Sequence, residues 1–551
     1  MSVGPETGSV VHAPFGPSAD RRSLLDRAHR GDIEGALGSV QSFDTGPRLS
    51  LGRRVGTFLA IMGPGLIVMA ADNDAGTLSV YAQAGQDYGL ALVWPLLLLA
   101  PVLFVNQEMV ARLGAVTGAG HARLIFERFG RRWGAFALAD LLALNVLTIV
   151  TEFIGVNLAL TYFGISRYLS VPVVGGALIA TTCTGSFRRW ERMMYGLVAA
   201  NLVVVPLILM SHPQPASVTR SLIPHVPGAI RASGLLFVIA LVGTTVSPWQ
   251  LFFQQSNVVD KRITARWLGY ERLDTLVGTL LFVLGGVAVV AACGFAFDGT
   301  PFHGTFNNAG TAAQALEHHL GSPAGALFAI ALFNASILGA GVVTLATCYA
   351  LGDVSGVKHS LHRSWRDAPV FHASFATLIA LAAAVALIPG APLGIITTAV
   401  QALAGVLVPS ATIFLLLLCN DRAVLGPHTN PRWLNALATL IVGVLLVLSA
   451  LLILVTLLPG LHVANAAIAL TVALSAVLGS LAAKELATRP APASRSETRW
   501  ERVTWTMPPL DTLASPLLTG WRRLGLTVLR VYLSLAVVLV IVKTLELATR
   551  R

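Results

Sequence analysis

Two carboxylates stand close together inside a long apolar stretch near the start of the chain. Residues 63–85 read GPGLIVMAADNDAGTLSVYAQAG, with Asp72, Asn73 and Asp74 in the middle. A carboxylate at the centre of a bilayer costs about 3 kcal/mol even on mild insertion scales, so this pair needs a bound cation, protonation or a water-filled cavity. Asn73 and Gly76 favour a local break in the helix, and unpaired backbone at membrane depth is tolerated where it lines a cavity.

A second apolar stretch, residues 234–256, is also interrupted. It reads GLLFVIALVGTTVSPWQLFFQQS, and Pro248 removes a backbone donor and predicts a break or kink. Interrupted helices at matching places in two halves of a chain indicate the midplane site of a transporter. The alternative is a proline kink in one helix and a structural polar cluster in the other. Proline kinks are common in membrane helices, whereas neighbouring acids in the middle of the partner span are not, so we favour the transporter.

Side-chain oxygens around the two breaks predict a cation site. The set contains neither sulfur nor imidazole, and oxygen ligands suit hard cations. Mg²⁺ usually takes one or two carboxylates and keeps several waters. A partly hydrated divalent ion such as Mg²⁺ therefore fits best, and the predicted metal-binding residues are Asp72, Asp74, Thr77, Thr244 and Ser247.

Three further polar residues inside apolar stretches are predicted to line the ion pathway: Glu152, Gln250 and Gln401. Glu152 either lines the pathway or is a protonated acid bonded to a neighbouring helix, and a lone amide such as Gln401 is more often structural. The chain carries no HExxH, GxSxG or phosphate-loop motif, so we expect no enzyme activity and no cofactor. The transported metal is a substrate.

The elements that position these residues are membrane helices. The chain has 551 residues, of which 55% are hydrophobic and only 12% charged, about half the charged fraction of a soluble domain. This composition excludes a soluble enzyme and a disordered chain, and it predicts an all-α polytopic membrane protein. Twelve spans are predicted, over residues 56–85, 89–114, 133–162, 169–185, 191–211, 232–256, 275–297, 323–350, 371–389, 392–419, 433–458 and 464–484.

The basic residues predict the orientation of these spans. With the N-terminus in the cytoplasm, the outer loops before residue 464 hold only Arg167, Arg220 and Arg231. Because inner loops of membrane proteins are rich in Lys and Arg, we predict a multi-pass protein of the inner cell membrane with a cytoplasmic N-terminus. The basic residues of the inner loops then account for the net charge of +11, so we expect the lipid bilayer as a partner and no nucleic acid. The inner loops hold Arg123, Arg128, Arg131, Arg132, Arg188, Arg189, Arg192, Lys261, Arg262, Arg266, Arg272, Lys358, Arg363, Arg366, Arg422 and Arg432.

Four segments are predicted along the chain. Residues 1–54 form a polar cytoplasmic segment with a short amphipathic helix around 20–40, and residues 55–425 form a ten-helix transporter core. Residues 426–485 add two membrane helices. Residues 486–551 hold a polar linker and an apolar run, 525–546, that either crosses the membrane or lies in its interface. The sequence does not specify an oligomeric state.

Several motifs in residues 52–425 resemble the NRAMP family of divalent-metal transporters. The stretch 63–85 resembles the family's GPG, DPGN and QAG motifs at the same spacing, and RLGAVTGAGHARLIFERFG resembles its loop between spans 2 and 3. TEFIGVNLAL is similar to its QEVIGTAIAL, SPWQLFFQQS falls on its MPHN segment, and Gln401 and Pro409 match a Gln and a Pro of span 10. The resemblance implies an inverted five-plus-five repeat with broken helices 1 and 6 and extra C-terminal helices.

Departures from the family pattern bear on the transported ion. By resemblance, Asp74 is the metal-binding Asp, Thr77 replaces a ligand Asn, and the Thr244 carbonyl reaches the metal. Ser247 replaces the Met that helps select transition metals. By resemblance, Trp249 and Gln254 replace two histidines of the family, and Ile149 replaces an acid that is linked to proton movement. Glu152 retains the acid next to that position.

These departures resemble the NRAMP-related magnesium transporters, which implies uptake of Mg²⁺, and of Mn²⁺ as well, without proton coupling. One alternative is an ordinary proton-coupled Mn²⁺/Fe²⁺ symporter in which water replaces the lost Met. A second is an organic-solute carrier of the same fold, although Asp72 and Asp74 argue against an anionic substrate. A magnesium channel also stays open as an alternative.

Overall fold

Helices account for most of the chain that the structure describes. The computed structural model describes residues 27–44, 46–223, 232–389, 393–458, 460–487 and 505–513, and five single residues between 502 and 534. The helices are α1 Leu51–Ile61, α2 Pro64–Asp72, α3 Ala75–Tyr88, α4 Val93–Thr117, α5 His121–Phe129, α6 Arg131–Tyr162, α7 Arg167–Thr182, α8 Phe187–Ala200, α9 Val204–Met210, α10 Pro215–Ser221, α11 Ala232–Thr245, α12 Pro248–Asp260, α13 Leu268–Phe297, α14 Ala309–Leu320, α15 Ser322–Ser355, α16 Pro369–Ala386, α17 Leu393–Cys419, α18 Arg422–Leu425, α19 Arg432–Leu457 and α20 Val463–Ala487.

The predicted all-α polytopic fold is confirmed. In the described ranges, nine continuous helices are long and apolar enough to cross a membrane, and α1 with α2, bent by 52°, can form a tenth span. The two other predicted spans also fall on helices. The fourth is α7, with 16 residues, and the sixth is divided between α11 and α12. The predicted apolar run 525–546 lies almost entirely outside the described residues.

Both predicted interruptions are present in the structure. The first lies between α2, which ends at Asp72, and α3, which begins at Ala75. The second lies between α11 and α12, and Pro248 is the first residue of α12, where the missing N–H costs nothing. A third interruption was not predicted: the chain bends between α1 and α2 at Gly63, whose φ of +147° is available to glycine and not to other residues.

The broken helices lie inside the bundle. Helix α13 packs against α2, α3 and α4, while α12 packs against α4 and α15. Helix α11 packs against α17, and α15 packs along α6. Apart from the half-buried Asn73, the residues at both interruptions are buried inside the protein. Burial in protein is the condition under which open backbone groups are tolerated at membrane depth.

Residues 33–40, in the part of the N-terminal segment that the structure describes, form a β-hairpin rather than a helix. After a short 3₁₀ turn, Arg27–His29, strand β1 (Ile33–Gly35) pairs antiparallel with β2 (Gly38–Val40). The predicted amphipathic helix around 20–40 is therefore wrong over residues 27–40, and residues 20–26 lie outside the described part of the chain. Glycines interrupt any helical pattern there, and the Ala36–Leu37 pair closes a two-residue hairpin turn.

Basic loops gather on the face of the bundle that carries this hairpin. Arg192 Nε donates to the Ala36 carbonyl, and Arg262 Nη1 donates to the Asp32 carbonyl at 3.0 Å. His359, in the loop after α15, lies 5.7 Å from His29 between ring centroids. We call this side of the bundle the N-terminal face. The structure thus brings residues from three of the predicted inner loops to the same side of the bundle.

A buried ion pair at the N-terminal face makes the stability of the fold depend on pH. Burial alone lowers the pKa of His359, but its Nε2 contact with Asp353 Oδ1 (3.0 Å) and its Nδ1 contact with the Val357 carbonyl raise that pKa to about 9. A histidine with a raised pKa stabilises the fold fully below its unfolded value near 6.5, and this contribution is lost as the pH rises through about 9.

We therefore expect the melting temperature of the detergent-purified protein to fall between pH 7 and pH 10. The loss should reach about 3 kcal/mol, since each pKa unit corresponds to about 1.4 kcal/mol. The variant His359→Gln should be less stable at pH 7 and lose less stability with rising pH. If the melting temperatures of the two proteins fall equally with rising pH, the Asp353–His359 pair does not cause the pH dependence of stability.

Candidate functional site

Two carboxylates meet at the N-terminal end of α3. Asp74 is the N-cap residue, and its Oδ1 accepts a hydrogen bond from the Thr77 backbone N–H at 2.7 Å. Glu152 Oε2, from α6, accepts from the Ala75 N–H at 3.1 Å. The first N–H groups of a helix are its positive end, so α3 favours negative charge here. The two acids are buried, at 3% and 0% exposure.

Hydroxyl groups join this helix end to the other interrupted span. Thr77 Oγ1 and Thr244 Oγ1 are 2.6 Å apart, and the Thr244 carbonyl lies 3.4 Å from Thr77 Oγ1. Thr244 is on α11, one residue before that helix ends. The two breaks predicted from sequence are therefore in direct contact, with Asp74 at one edge of the contact.

Two glycines let neighbouring helices come close to Asp74. A Cβ atom on Gly76 would lie 1.8 Å from Gln401 Nε2, and a Cβ on Gly339 would lie 2.6 Å from Glu152 Oε2 and 2.8 Å from Asp74 Cβ. Gln401, on α17, and Glu152 are thus placed against the cap of α3. Gly339, on α15, was not predicted from the sequence, because a glycine in an apolar helix carries no chemical signal of its own.

Polar atoms around Asp74 are buried without a partner. In the described part of the chain, Gln401 Nε2 and Glu152 Oε1 are buried and make no hydrogen bond. Buried polar groups are normally bonded, and exceptions often mark a site for an ion or water. The structure therefore brings together Asp74, Thr77 and Thr244 of the predicted metal-binding residues, and Glu152 and Gln401 of the predicted pathway.

Asp72 belongs to a separate series of hydrogen-bonded polar side chains. It is the last residue of α2, 1% exposed, and one carboxylate oxygen accepts from Gln250 Nε2 of α12. Gln250 Oε1 in turn accepts from Gln107 Nε2 of α4 at 2.9 Å. The other Asp72 oxygen, Oδ2, is buried without a partner among the described residues. The sequence did not single out Gln107, although the polar run Asn106–Glu108 in an apolar helix was a usable signal.

Ser247 lies at the break of the sixth span. It is the N-cap residue of α12, with extended backbone, and its Oγ donates to the Gly243 carbonyl at 3.0 Å. Its side chain is almost fully buried. The hydroxyl satisfies a carbonyl left open by the end of α11, so it can serve a cation only by turning away from that carbonyl or through a water.

The chemistry of the site is that of oxygen ligands. Within the described ranges, no three side chains of His, Cys, Asp or Glu converge in an arrangement that could hold a metal. A cation at the cap of α3 would therefore be held by one or two carboxylates with hydroxyl, amide and carbonyl oxygens and water. Hard divalent cations accept such a mixed oxygen set, whereas soft metals prefer sulfur.

A cycle of variants tests the close contact between Gly76 and Gln401. We expect Gly76→Ala to push the Gln401 amide away from Asp74 and to lower the rate of metal uptake into proteoliposomes about tenfold, the factor equal to about 1.4 kcal/mol. In a Gln401→Ala background the added methyl group has room, so the same change should have little further effect. Full additivity of the two changes would exclude this coupling.

The family of the chain follows from its match to known proteins. The family model described as natural resistance-associated macrophage protein-like, Nramp, matches residues 65–455. The chain belongs to the Nramp family. The match covers the interruptions at α2–α3 and α11–α12 and every residue assigned to the site above, so the resemblance to the family that the motifs indicated is confirmed.

Curated relatives of this Nramp protein span most of its length. The divalent metal cation transporter MntH of Ralstonia nicotianae is 30% identical over 402 residues, covering 69% of this chain and 87% of the relative. The divalent metal cation transporter MntH 1 of Pseudomonas aeruginosa is 28% identical over 400 residues, covering 70% of this chain and 89% of that protein.

A solved structure shares the fold. The crystal structure of the Eremococcus coleocola manganese transporter with an aromatic bis-isothiourea substituted compound matches with a TM-score of 0.60 and 20% identity. The match covers 81% of this Nramp chain and 97% of that one. The arrangement of its helices is therefore that of a known transporter fold, and this chain is a multi-pass membrane protein.

Proposed function

We propose that this protein carries divalent metal ions, Mg²⁺ with Mn²⁺ tolerated, across the cell membrane by alternating access. The observation that carries the proposal is the contact of two interrupted helices at a buried carboxylate, Asp74, with hydroxyl groups on both sides. The relatives bear names of divalent metal cation transporters, which supports the metal as the class of substrate.

The preference for Mg²⁺ rests on the ligands available at the breaks. Thr77, Thr244 and Ser247 offer hydroxyl and carbonyl oxygens, and no thioether stands beside them in the NDAGT and TTVSP stretches. Mg²⁺ gives up its waters reluctantly and is usually held through few carboxylates and several waters. A site that presents one principal carboxylate, Asp74, with hydroxyls that can bind water suits such an ion.

In this mechanism Asp74 supplies the charge that draws the ion from water, and the N-terminus of α3 keeps that charge stable when the site is empty. The threonine pair couples the two breaks, so a bound ion holds both helices in one arrangement. We also place the N-terminal face in the cytoplasm of a cell with this protein in its inner membrane, because the basic loops gather there.

Flux measurements on proteoliposomes test the proposal. Purified protein is reconstituted with a luminal Mg²⁺ or Mn²⁺ indicator and, in parallel, with a luminal pH dye. We expect saturable entry of both ions and no change in luminal pH beyond that of empty liposomes. Absence of flux for both ions would overturn the proposal.

One observation favours a second candidate, proton-coupled symport of Mn²⁺. Glu152 lies next to Asp74, and two neighbouring buried carboxylates repel each other unless a proton or a cation neutralises them. A metal that displaces such a proton would couple the two movements. Luminal acidification in step with Mn²⁺ entry, lost in Glu152→Gln, would establish this alternative.

A further inference from the structure

The N-terminal hairpin lies against the first half of the first span. A Cβ atom on Gly35 would lie 2.2 Å from the Ala60 carbonyl oxygen, so the hairpin backbone touches α1 directly. Ile33 and Val40, paired across the two strands, are buried, while Glu34 between them is exposed. The hairpin therefore has an inner side fitted to the bundle and an outer side in solvent.

A chain of polar contacts runs from this hairpin to the bend between α1 and α2. The Ala36 N–H donates to Glu191 Oε2 of α8 at 2.5 Å, and Glu191 Oε1 pairs with Lys261 Nζ. Lys261, just after α12, also donates to the Met62 carbonyl, which accepts from Tyr195 as well. The Glu191 and Lys261 side chains are both 0% exposed. Such a pair is stable only while its hydrogen bonds are complete.

Arg262 attaches the segment before the hairpin to the end of α12. Its Nε donates to the Ala28 carbonyl at 2.9 Å and its Nη1 to the Asp32 carbonyl at 3.0 Å. Its φ of +66° is a strained conformation for a residue other than glycine. The guanidinium is thus held where it meets the N-terminal segment, at the cost of local strain.

We infer that residues 27–40 are a latch that holds the N-terminal face of the ion pathway closed and is released each time that face opens. The inference rests on the alternating-access function proposed above. The bend at Met62–Gly63 and the end of α12 belong to the two interrupted spans, whose movement opens one side of such transporters. Movement of either one breaks the series of polar contacts from Ala36 through Glu191 and Lys261 to Met62. The closed and open states of the N-terminal face are therefore distinct.

Ser256 offers a place from which release of the latch can be measured. It lies on α12, is 6% exposed, and lines a cavity of about 10 Å³, the size of one water molecule, together with Tyr349 and Asp353 of α15. His29, in the latch, lines the same cavity. Release of residues 27–40 removes His29 from the cavity lining, so a water-soluble thiol reagent can reach position 256.

The experiment compares labelling rates of Ser256→Cys in a background whose four native cysteines are replaced by Ala. Ala36→Pro removes the N–H that Glu191 accepts, and Arg262→Gly removes the guanidinium while suiting the positive φ. We expect Ala36→Pro, which loses one hydrogen bond to a charged group, to raise the rate of maleimide labelling in detergent about tenfold. Arg262→Gly loses two such bonds and should raise the rate at least as much. Glu34→Gln, on the exposed side of the hairpin, should label at the parent rate.

Labelling at the parent rate in folded Ala36→Pro and Arg262→Gly proteins would overturn the latch. A fall in melting temperature without faster labelling would likewise overturn it, since this is what a purely structural hairpin gives. If Ala36→Pro cannot be purified, the labelling rate of Arg262→Gly alone tests the latch. The measurement needs no transported ion, so its outcome stands whether or not the protein proves to carry Mg²⁺.

Discussion

Replacing Asp74 by Asn should abolish metal uptake while leaving the protein folded. Asn accepts the same N-cap hydrogen bond from the Thr77 N–H and is as good an N-cap as Asp, so α3 keeps its start. What is lost is the charge that holds a divalent ion in a buried site. We expect the initial rate of Mg²⁺ and Mn²⁺ uptake to fall at least about 100-fold, the factor equal to about 2.7 kcal/mol.

Two further variants separate charge from folding. Asp74→Ala removes the charge and the cap together, so it should transport no better than Asp74→Asn and be less stable by about 1 kcal/mol. Asp298→Asn removes an exposed acid at the end of α13, and both its uptake and its melting temperature should match the parent protein. Parent-like uptake by a folded Asp74→Asn protein would remove Asp74 from the site.

Introducing a thioether at Ser247 should shift the preference of the site toward softer metals. Ser247→Met places sulfur at the break between α11 and α12, where the parent offers a hydroxyl. We expect the ratio of Mn²⁺ or Cd²⁺ uptake to Mg²⁺ uptake to rise about tenfold, which corresponds to about 1.4 kcal/mol of differential binding. Competition uptake in proteoliposomes at fixed total metal measures this ratio directly.

Ser247→Ala is the matched control, because it removes the hydroxyl without adding sulfur. It also breaks the hydrogen bond to the Gly243 carbonyl, which costs about 1 kcal/mol of stability. If Ser247→Met and Ser247→Ala give the same metal ratio, the side chain at position 247 does not select the ion. The hard-ligand argument for Mg²⁺ would then lose its main support.

The positions of the interruptions could be predicted because each has a local cause. Pro248 cannot continue a helix, and two acids with Asn73 between them cannot face lipid, so both breaks follow from short stretches of sequence. The bend at Gly63 also has a local cause, but the IMGPGL stretch reads equally well as the start of a continuous span. The structure shows a bend rather than a continuous span, because Gly63 has a positive φ.

The contacts that define the site could not be predicted in the same way. Gln107 and Gln250 are 143 residues apart and Ala75 and Glu152 are 77 apart, and no periodic pattern links such pairs. The sequence grouped Asp72 with the predicted metal-binding residues, and it could not show that Gln250 donates a hydrogen bond to this carboxylate. The hairpin was missed because its strands have three residues each, too short for an alternating pattern to emerge.

Calorimetric titration of the purified protein with Mg²⁺, Mn²⁺ and Ca²⁺, in parallel with Asp74→Asn, tests the central claim most directly. The claim is that the contact between the two interrupted spans is a site for a hard divalent cation. It predicts saturable, one-site binding of Mg²⁺ and Mn²⁺ to the parent protein and none to the variant. No binding of either ion to the parent, or equal binding to both proteins, would contradict it.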